Sequence, residues 1–215
     1  MQVGFFSLVM VAVAFSHIAM AETSAAVADV SQEKIYTPED QRIFDRYIAY
    51  VRPWQSAHTD SLLEKTALFF LNAPYVAHTL EMPGEEKLVV NLREFDCTTF
   101  VESVIALART ARSDNPGFDT FLTELQNIRY RDGNRQGYAS RLHYTSDWVY
   151  DNEKKNLLKN NADRLGGIRE KKTIGFMTAH RDAYKQLKHN DALLEQMQEI
   201  ENNINKRDGF YYLPK

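Results

Sequence analysis

Apolar residues recur every three to four positions in several stretches of the first half of the chain, and this spacing predicts amphipathic helices. The clearest start signal is Thr37-Pro38-Glu39-Asp40, with Thr37 suited to the N-cap, a proline at the first helical position and acids in the first turn. Pro53 would end this helix. Asp60 or Ser61 is suited to cap a second helix, which would stop before Asn72. We predict two further helices in this half, over about 97–112 and 118–128.

The pattern after residue 128 is less regular. Residues 129–145 contain two glycines and predict a loop with short strands, and Ser146 or Asp147 is suited to cap a further helix. Two more helices are predicted over 178–188 and 191–206, and the clearest strand-like run is Leu88-Val89-Val90. The chain is therefore expected to be rich in helix and poor in sheet.

The composition is that of an ordinary globular protein and narrows the function classes. The 215 residues include 26 Lys plus Arg and 29 Asp plus Glu, which gives a formal net charge of −3, and 44% are hydrophobic. This balance excludes disorder as the main state and lacks the basic footprint of a nucleic-acid-binding protein. The single cysteine excludes a disulfide within the chain. No His, Cys or carboxylate pair has metal-ligand spacing, so we expect neither a metal site nor a cofactor.

Residues 1–21 are predicted to be a signal peptide rather than part of the fold. An apolar run from Val3 to about Phe15 is followed by Ala19-Met20-Ala21, the small-x-small pattern of a signal-peptidase site. The alternatives are a buried helix or a membrane anchor, but an anchor needs about 20 apolar residues and Ser16 interrupts the run. We therefore expect export to the periplasm or the extracellular space, and no membrane association after cleavage. We expect a linker over 22–36 and one domain over 37–215.

Cys97 is the main candidate for chemistry. Asp96 is suited to cap a helix that starts here, which places Cys97 in the first turn, where the helix dipole and free backbone N–H groups favour the thiolate. A stabilised thiolate is the usual basis of a cysteine nucleophile. The hydroxyls of Thr98 and Thr99 lie beside it in the sequence. The alternative is a small buried apolar residue, which is the commoner role of cysteines in general.

A second candidate cluster covers residues 141–148, where Arg, His, Tyr, Ser, Asp and Trp follow a glycine-containing loop. Such a density of polar and aromatic side chains suits a cleft for a polar ligand with sugar or peptide parts, and we assign substrate contacts to Arg141, Tyr144 and Trp148. His143 is the best partner for Cys97 within the chain. The alternative is a hydrogen-bonded loop with a core tryptophan.

Three spaced runs resemble one branch of the NlpC-type cell-wall peptidase superfamily, a branch described as N-acetylmuramoyl-L-alanine amidase-like. The superfamily pattern Pro-Tyr-Val followed by Asp-Cys-Ser-Gly-Phe-Val is similar to Pro74–Val76 and Asp96–Val101. The branch pattern is closer, since its members read as this chain does from Leu92 to Glu102 and from Tyr138 to Trp148. The run from Phe176 to Leu187 also fits. The resemblance covers about residue 37 to the C-terminus.

The resemblance implies a papain-like α+β fold in which the nucleophile starts a helix packed on a small antiparallel sheet. It implies hydrolysis of the amide between N-acetylmuramic acid and L-alanine, with peptidoglycan or a muropeptide as the substrate. Position by position, Cys97 matches the nucleophile and Tyr75 the superfamily tyrosine near the thiolate. Asp96 matches the acid before the nucleophile, and we group it with Thr98 as substrate-binding.

One departure from the family pattern opens a second hypothesis. In the resembled branch, the general-base histidine lies on a strand beyond a segment that matches Tyr211–Lys215, so we expect this chain to lack that histidine and most of the antiparallel sheet. His143 would then be the base. The alternative is a catalytically impaired remnant, or a non-catalytic wall-binding module that keeps the substrate loop without the base.

Overall fold

Helix α1 (Pro38–Val51) begins where the sequence carries its capping signal. In the computed structural model, which describes residues 34–214, the Thr37 hydroxyl accepts from the Asp40 amide at 3.3 Å, and the Asp40 carboxylate accepts from the Thr37 amide at 2.8 Å. Two otherwise unpaired amides are thereby satisfied, which stabilises this end of the helix. The predicted signal peptide and most of the predicted linker lie outside the described residues.

The remaining helices and strands follow in chain order. They are α2 (Thr59–Phe69), β2 (Leu88–Val89), α3 (Cys97–Arg112), α4 (Phe118–Arg129), α5 (Thr145–Lys154), β3 (Ile168–Glu170), α6 (Phe176–Ala179), α7 (Asp191–Asn205) and β4 (Phe210–Tyr212), with β1 (Lys34–Ile35) preceding α1. Short 3₁₀ turns cover Arg52–Trp54, Arg131–Gly133, Tyr138–Ser140 and Arg181–Ala183. The described chain is thus a helix-rich α+β structure with small sheets, as predicted in its coarse form.

The strands form two separate two-stranded sheets. β1 and β2 pair in parallel, and the Val90 amide extends the pairing by donating to the Ile35 carbonyl at 2.8 Å. β3 and β4 pair antiparallel, with Ile168 opposite Tyr212. The strand-like run at Leu88–Val90 is confirmed by β2, whereas β1 lies in the segment predicted to be a linker and β3 was not predicted.

The described chain contains two clusters of buried apolar side chains. The larger one lies between α1, α2, α3 and α4, and its fully buried side chains include Tyr47, Leu107, Phe121 and Ile128. The smaller one joins the Tyr138–Ser140 turn to α6 and α7; its buried members are Tyr138, Ala139, Met177, Leu187 and Met197. None of the described helices is both long and apolar enough to cross a membrane.

The helix predicted over 178–188 is wrong. α6 ends at Ala179 and a 3₁₀ turn follows at Arg181–Ala183. The Arg181 guanidinium donates to the Leu187 carbonyl and to the Asp191 carboxylate, each at 2.8 Å, and so closes the segment back on the start of α7. These contacts hold Leu187 in the smaller cluster in a way that helical periodicity alone does not predict.

The predicted cap of α5 is also wrong. The helix begins at Thr145, and neither Ser146 nor Asp147 caps it. The Asp147 carboxylate is buried and accepts from the guanidinium groups of Arg131 and Arg207, each at 2.7 Å. Because both oxygens are engaged by these ion pairs, the carboxylate is directed to its tertiary partners rather than to the helix start.

Candidate active site at the start of helix α3

Asp96 fixes the start of the helix that carries Cys97. Its carboxylate accepts from the Thr99 amide at 2.8 Å, and the Thr99 hydroxyl accepts from the Asp96 amide at 2.9 Å. This reciprocal pair is a capping box, and it makes Cys97 the first residue of α3. The predicted N-cap and the predicted position of Cys97 in the first turn are both confirmed.

The thiol of Cys97 is exposed to solvent. Its sulfur lies 4.0 Å from the Thr98 hydroxyl, and Thr98 is exposed as well. The first-turn amides of a helix have no partner within the helix, so the backbone at this point offers N–H groups to a negative charge. An accessible sulfur beside such donors is a chemically sensible place for a nucleophile.

The segment of Tyr75 pairs with the chain just before Cys97. The Val76 amide donates to the Phe95 carbonyl at 2.9 Å, and the Phe95 amide donates to the Pro74 carbonyl at 3.1 Å. This single parallel bridge holds Tyr75 opposite Phe95, two residues before Cys97, with 72% of its side chain exposed. Tyr75 and Cys97 therefore belong to one surface region.

Two residues with left-handed backbone bracket this segment. Asn72 has φ 69° and His78 has φ 64°, a conformation that is uncommon outside glycine and that Asn and His adopt more readily than most other residues. Such conformations cost free energy and tend to persist where the surrounding structure enforces them, often at functional sites. His78 is exposed and is the described histidine nearest in sequence to the Tyr75–Phe95 bridge. The sequence analysis did not select it, and only the backbone reveals this signal.

The start of α3 rests on buried, packed side chains. Phe95 is buried, and its ring makes edge contacts with Phe70 and Phe100 at centroid distances of 5.1 and 5.7 Å. Further along α3, the buried Glu102 carboxylate accepts from Arg129 Nε at 2.7 Å, and Arg129 also donates to the Val89 carbonyl at 2.6 Å. These contacts tie α3 to α4 and β2, so the position of Cys97 is set by packed elements.

His143 forms a hydrogen bond with Tyr138 and none with Cys97 among the described residues. Its Nε2 lies 2.9 Å from the Tyr138 carbonyl, which can only accept, so Nε2 carries the proton, and its ring lies against the Tyr138 ring at 4.4 Å. No hydrogen bond links His143 to Cys97 among residues 34–214. Burial, reinforced by the nearby Arg141 guanidinium, lowers the pKa of His143 to about 3. The imidazole is thus neutral at pH 7, but it is a weak proton acceptor compared with a base tuned near the working pH.

Arg141 is buried in a network of its own. Its guanidinium donates to the Glu81 carboxylate at 2.6 Å and to the Leu80 carbonyl at 3.2 Å, and it lies 4.9 Å from the centre of the Tyr138 ring. Glu86 is 3.7 Å away. Arg141 therefore holds the 80–86 loop in place, and its predicted contact with the substrate stays a prediction.

Tyr144 and Trp148 also contact other parts of the protein. The Tyr144 hydroxyl donates to the Glu201 carboxylate at 2.6 Å and accepts from the Met177 amide at 2.9 Å, and burial raises its pKa. Trp148 is partly buried and packs against the larger cluster, where its indole N–H has no hydrogen-bond partner among the described residues. The structure therefore gathers Tyr75, Asp96, Cys97 and Thr98 in one region, and shows the 141–148 residues bonded into other networks.

No group of three His, Cys, Asp or Glu side chains within residues 34–214 is arranged to hold a metal ion. The groups that the start of α3 offers are an exposed thiol, backbone N–H groups and, on the paired segment, a tyrosine hydroxyl.

The chain matches a known protein family over most of its length. A family model for AmiA-like proteins matches residues 65–215, which include Tyr75, Cys97 and the 141–148 run. The chain belongs to the AmiA-like family. Its members are described as N-acetylmuramoyl-L-alanine amidase-like. A comparison with curated proteins found no match.

Several solved structures are similar to the described fold. An N-acetylmuramoyl-L-alanine amidase from Bacteroides uniformis is 38% identical with a TM-score of 0.66, and the match covers 71% of this chain and 63% of that one. A provisionally named xylanase from Bacteroides fragilis is 37% identical with a TM-score of 0.64, covering 69% and 64%. A Legionella pneumophila protein shares only the fold, at 20% identity and a TM-score of 0.51, covering 80% and 60%. The chain therefore spans less than two thirds of the length of these structures.

Proposed function

We propose that this AmiA-like protein is a peptidoglycan hydrolase that cleaves the amide between N-acetylmuramic acid and L-alanine, with Cys97 as the nucleophile. The observation that carries the proposal is the exposed Cys97 thiol on the first residue of a capped helix. The family of the chain is described as N-acetylmuramoyl-L-alanine amidase-like, which names the bond. The motif from Leu92 to Glu102 further leads us to assign the chain to the papain-like NlpC-type superfamily. The predicted signal peptide would place the activity outside the cytoplasm.

The proposed reaction proceeds through a thioester. A base takes the thiol proton, and the sulfur attacks the lactyl carbonyl carbon of N-acetylmuramic acid. The amide nitrogen leaves with a proton as the free amine of L-alanine, and water then hydrolyses the thioester to the lactyl carboxylate and the free thiol. The Cys97 backbone N–H is suited to stabilise the negative oxygen of each tetrahedral intermediate. The hydroxyl of Tyr75 would orient the substrate or stabilise charge beside the sulfur.

The identity of the base separates this proposal from its alternative. His143 bonds to the Tyr138 carbonyl, and its pKa is lowered to about 3 by burial, so its surroundings are unfavourable for the role. This observation supports a second candidate function, a wall-binding module without catalytic turnover. His78, exposed in the Tyr75 segment, is the other histidine that we would test as the base.

The deciding experiment incubates the purified chain with a muropeptide and follows free N-terminal L-alanine by mass spectrometry. Cys97→Ala removes the sulfur and is expected to abolish release, whereas the matched change Ser113→Ala leaves the rate unchanged, because Ser113 caps the opposite end of α3. Release that survives in the Cys97→Ala protein would contradict a cysteine mechanism. Binding of the muropeptide with no release by either protein would favour the wall-binding module.

A further inference from the structure

A cleft of about 820 Å³ lies apart from Cys97, at the side of the molecule where the 80–86 loop faces the start of α7. One wall is the loop with Glu81, Met82 and Glu85, and the other carries Lys185 and Gln186. Cys97 is not among its lining residues. Its volume is within the range of about 300–1,000 Å³ that is usual for small-ligand sites.

The floor of the cleft is built from buried, bonded side chains. Tyr138 lies at the bottom with 6% of its surface exposed, and burial raises its pKa to about 12. Beside it the Glu86 carboxylate accepts from the Tyr130 hydroxyl at 2.9 Å, and Arg141 lies underneath against the Tyr138 ring. Since these contacts join segments far apart in sequence, the shape of the cleft is fixed by the fold and does not depend on one flexible loop.

Each wall carries one exposed charge, and the two charges have opposite signs. The Glu85 carboxylate and the Lys185 ammonium are both exposed, and neither forms an ion pair with another residue between 34 and 214. Glu81, on the acidic wall, is partly neutralised by Arg141. A ligand that carries both an ammonium and a carboxylate would complement the two walls at once.

Gln186 adds a specific polar group to the cleft. Its amide nitrogen donates to the Met82 carbonyl at 3.2 Å, which holds the two walls together. Its Oε1 is buried, yet it accepts no hydrogen bond from the described residues. A buried acceptor without a donor carries a free-energy cost that an N–H group of a ligand would remove.

From these features we propose that the cleft binds the zwitterionic peptide of the wall substrate, with its ammonium toward Glu85 and a carboxylate toward Lys185. This inference rests on the proposed function and names a second contact region for the same substrate. Glu81 follows Tyr75 by six positions along the same loop. The acidic wall of the cleft and the Tyr75 segment beside Cys97 are therefore consecutive parts of one stretch of chain.

The test uses the full chain with Cys97→Ala, so that no turnover occurs, and the synthetic tripeptide L-Ala-γ-D-Glu-L-Lys, which has no scissile muramoyl bond. Isothermal titration calorimetry at low salt compares this probe, with its N-terminal amine acetylated to match the amide of the wall substrate, with a copy that is also acetylated on the lysine Nζ. Acetylation is expected to weaken binding about fivefold, the upper range for one exposed ion pair. In a protein that also carries Glu85→Gln, acetylation should change the dissociation constant by less than about twofold, because the partner charge is gone.

The second wall is tested in the same way. A probe amidated at its carboxylates should lose affinity in the Cys97→Ala protein, and Lys185→Gln should remove most of that loss. Glu195→Gln and Lys188→Gln serve as matched controls, since both residues are exposed and neither lines the cleft. They should leave the affinity and the effect of acetylation unchanged.

The outcomes separate this inference from the proposed function. Absence of tripeptide binding at millimolar concentration, or an acetylation effect that is equal with and without Glu85→Gln, overturns the cleft proposal. Neither result would contradict the proposed Cys97-dependent release of L-alanine. Conversely, tripeptide binding that depends on Glu85 and Lys185, together with no release of L-alanine by the chain with Cys97 intact, would support the cleft proposal and contradict the proposed amidase activity.

Discussion

The two halves of the described chain are held together by different interactions. The region of α1–α4 has a large apolar cluster with Phe44 stacked on Phe121 at 5.7 Å. The region after residue 130 has a small apolar cluster, and much of its cohesion comes from buried acids, namely Asp147 between two arginines and Glu201 between two segments. Apolar contacts are non-directional, whereas charged hydrogen bonds require exact partners and respond to pH.

This difference bears on the two candidate sites. Cys97 starts a helix whose body packs in the apolar region, so its position follows from hydrophobic burial. The cleft lies where the polar region meets the 80–86 loop, and its shape follows from ion pairs. A change in pH or salt that weakens ion pairs should therefore alter the cleft under milder conditions than those that alter the start of α3.

The largest effect is expected where a charge is buried inside the apolar region. Arg129→Met leaves the Glu102 carboxylate buried without its partner and should lower the free energy of unfolding by about 3–5 kcal/mol. Urea denaturation followed by circular dichroism measures this loss. Arg109→Met is the matched control, because Arg109 joins the same two helices through Glu124 at the surface and should cost about 1 kcal/mol or less. Equal losses in the two variants would contradict the role of burial.

A smaller and more local effect is expected in the polar region. Glu201→Gln removes the charge that accepts from the Tyr144 hydroxyl and from the Thr178 amide and hydroxyl, and should cost about 2 kcal/mol. Hydrogen exchange followed by mass spectrometry should show faster exchange over α6 and α7 with no change over α1–α4. Glu199→Gln, at an exposed position on the same helix, should leave the free energy of unfolding and the exchange over α6 and α7 unchanged. Loss of protection spread evenly over the chain would show that the two regions unfold as one.

The smallest expected effect depends on pH. Because the pKa of His143 in the folded protein is lowered to about 3, the unfolded chain binds a proton at pH values between this and about 6.5, and the folded protein does not. Stability should therefore fall as the pH drops below about 6.5, by about 1.6 kcal/mol between pH 6.5 and 5. His143→Gln keeps an N–H donor for the Tyr138 carbonyl and should remove this part of the pH dependence in urea titrations. The same change at exposed His189 is the control, and identical pH slopes in all three proteins would refute the assignment.

The sequence predicted those features whose signals are local. α1 and α3 begin at their predicted caps, and α7 starts at Asp191 as predicted, because capping residues and apolar spacing act within one or two turns. The candidate nucleophile was found for the same reason. The helix over 178–188 failed because Arg181 makes contacts that override the periodicity of that segment.

The features that escaped prediction depend on long-range pairing. β3 pairs with β4 about 40 residues later, and Arg141 meets Glu81 from 60 residues away, so neither is visible in a short window of sequence. The predicted cluster at 141–148 was correctly singled out as dense in polar groups. The partners of these side chains are carboxylates, guanidinium groups and backbone groups elsewhere in the chain, which spacing along the sequence does not reveal.

The β3–β4 pair has a practical consequence for anyone handling this protein. Each strand has one partner among the described residues, and the side chains of Ile168, Tyr211 and Tyr212 are each about 40–50% exposed. A ribbon with unpaired backbone groups on its outer edges is a template on which another polypeptide can add a strand. Concentrated samples should accordingly be monitored for slow self-association, and a lysine placed at Tyr211 is the simplest substitution to suppress it.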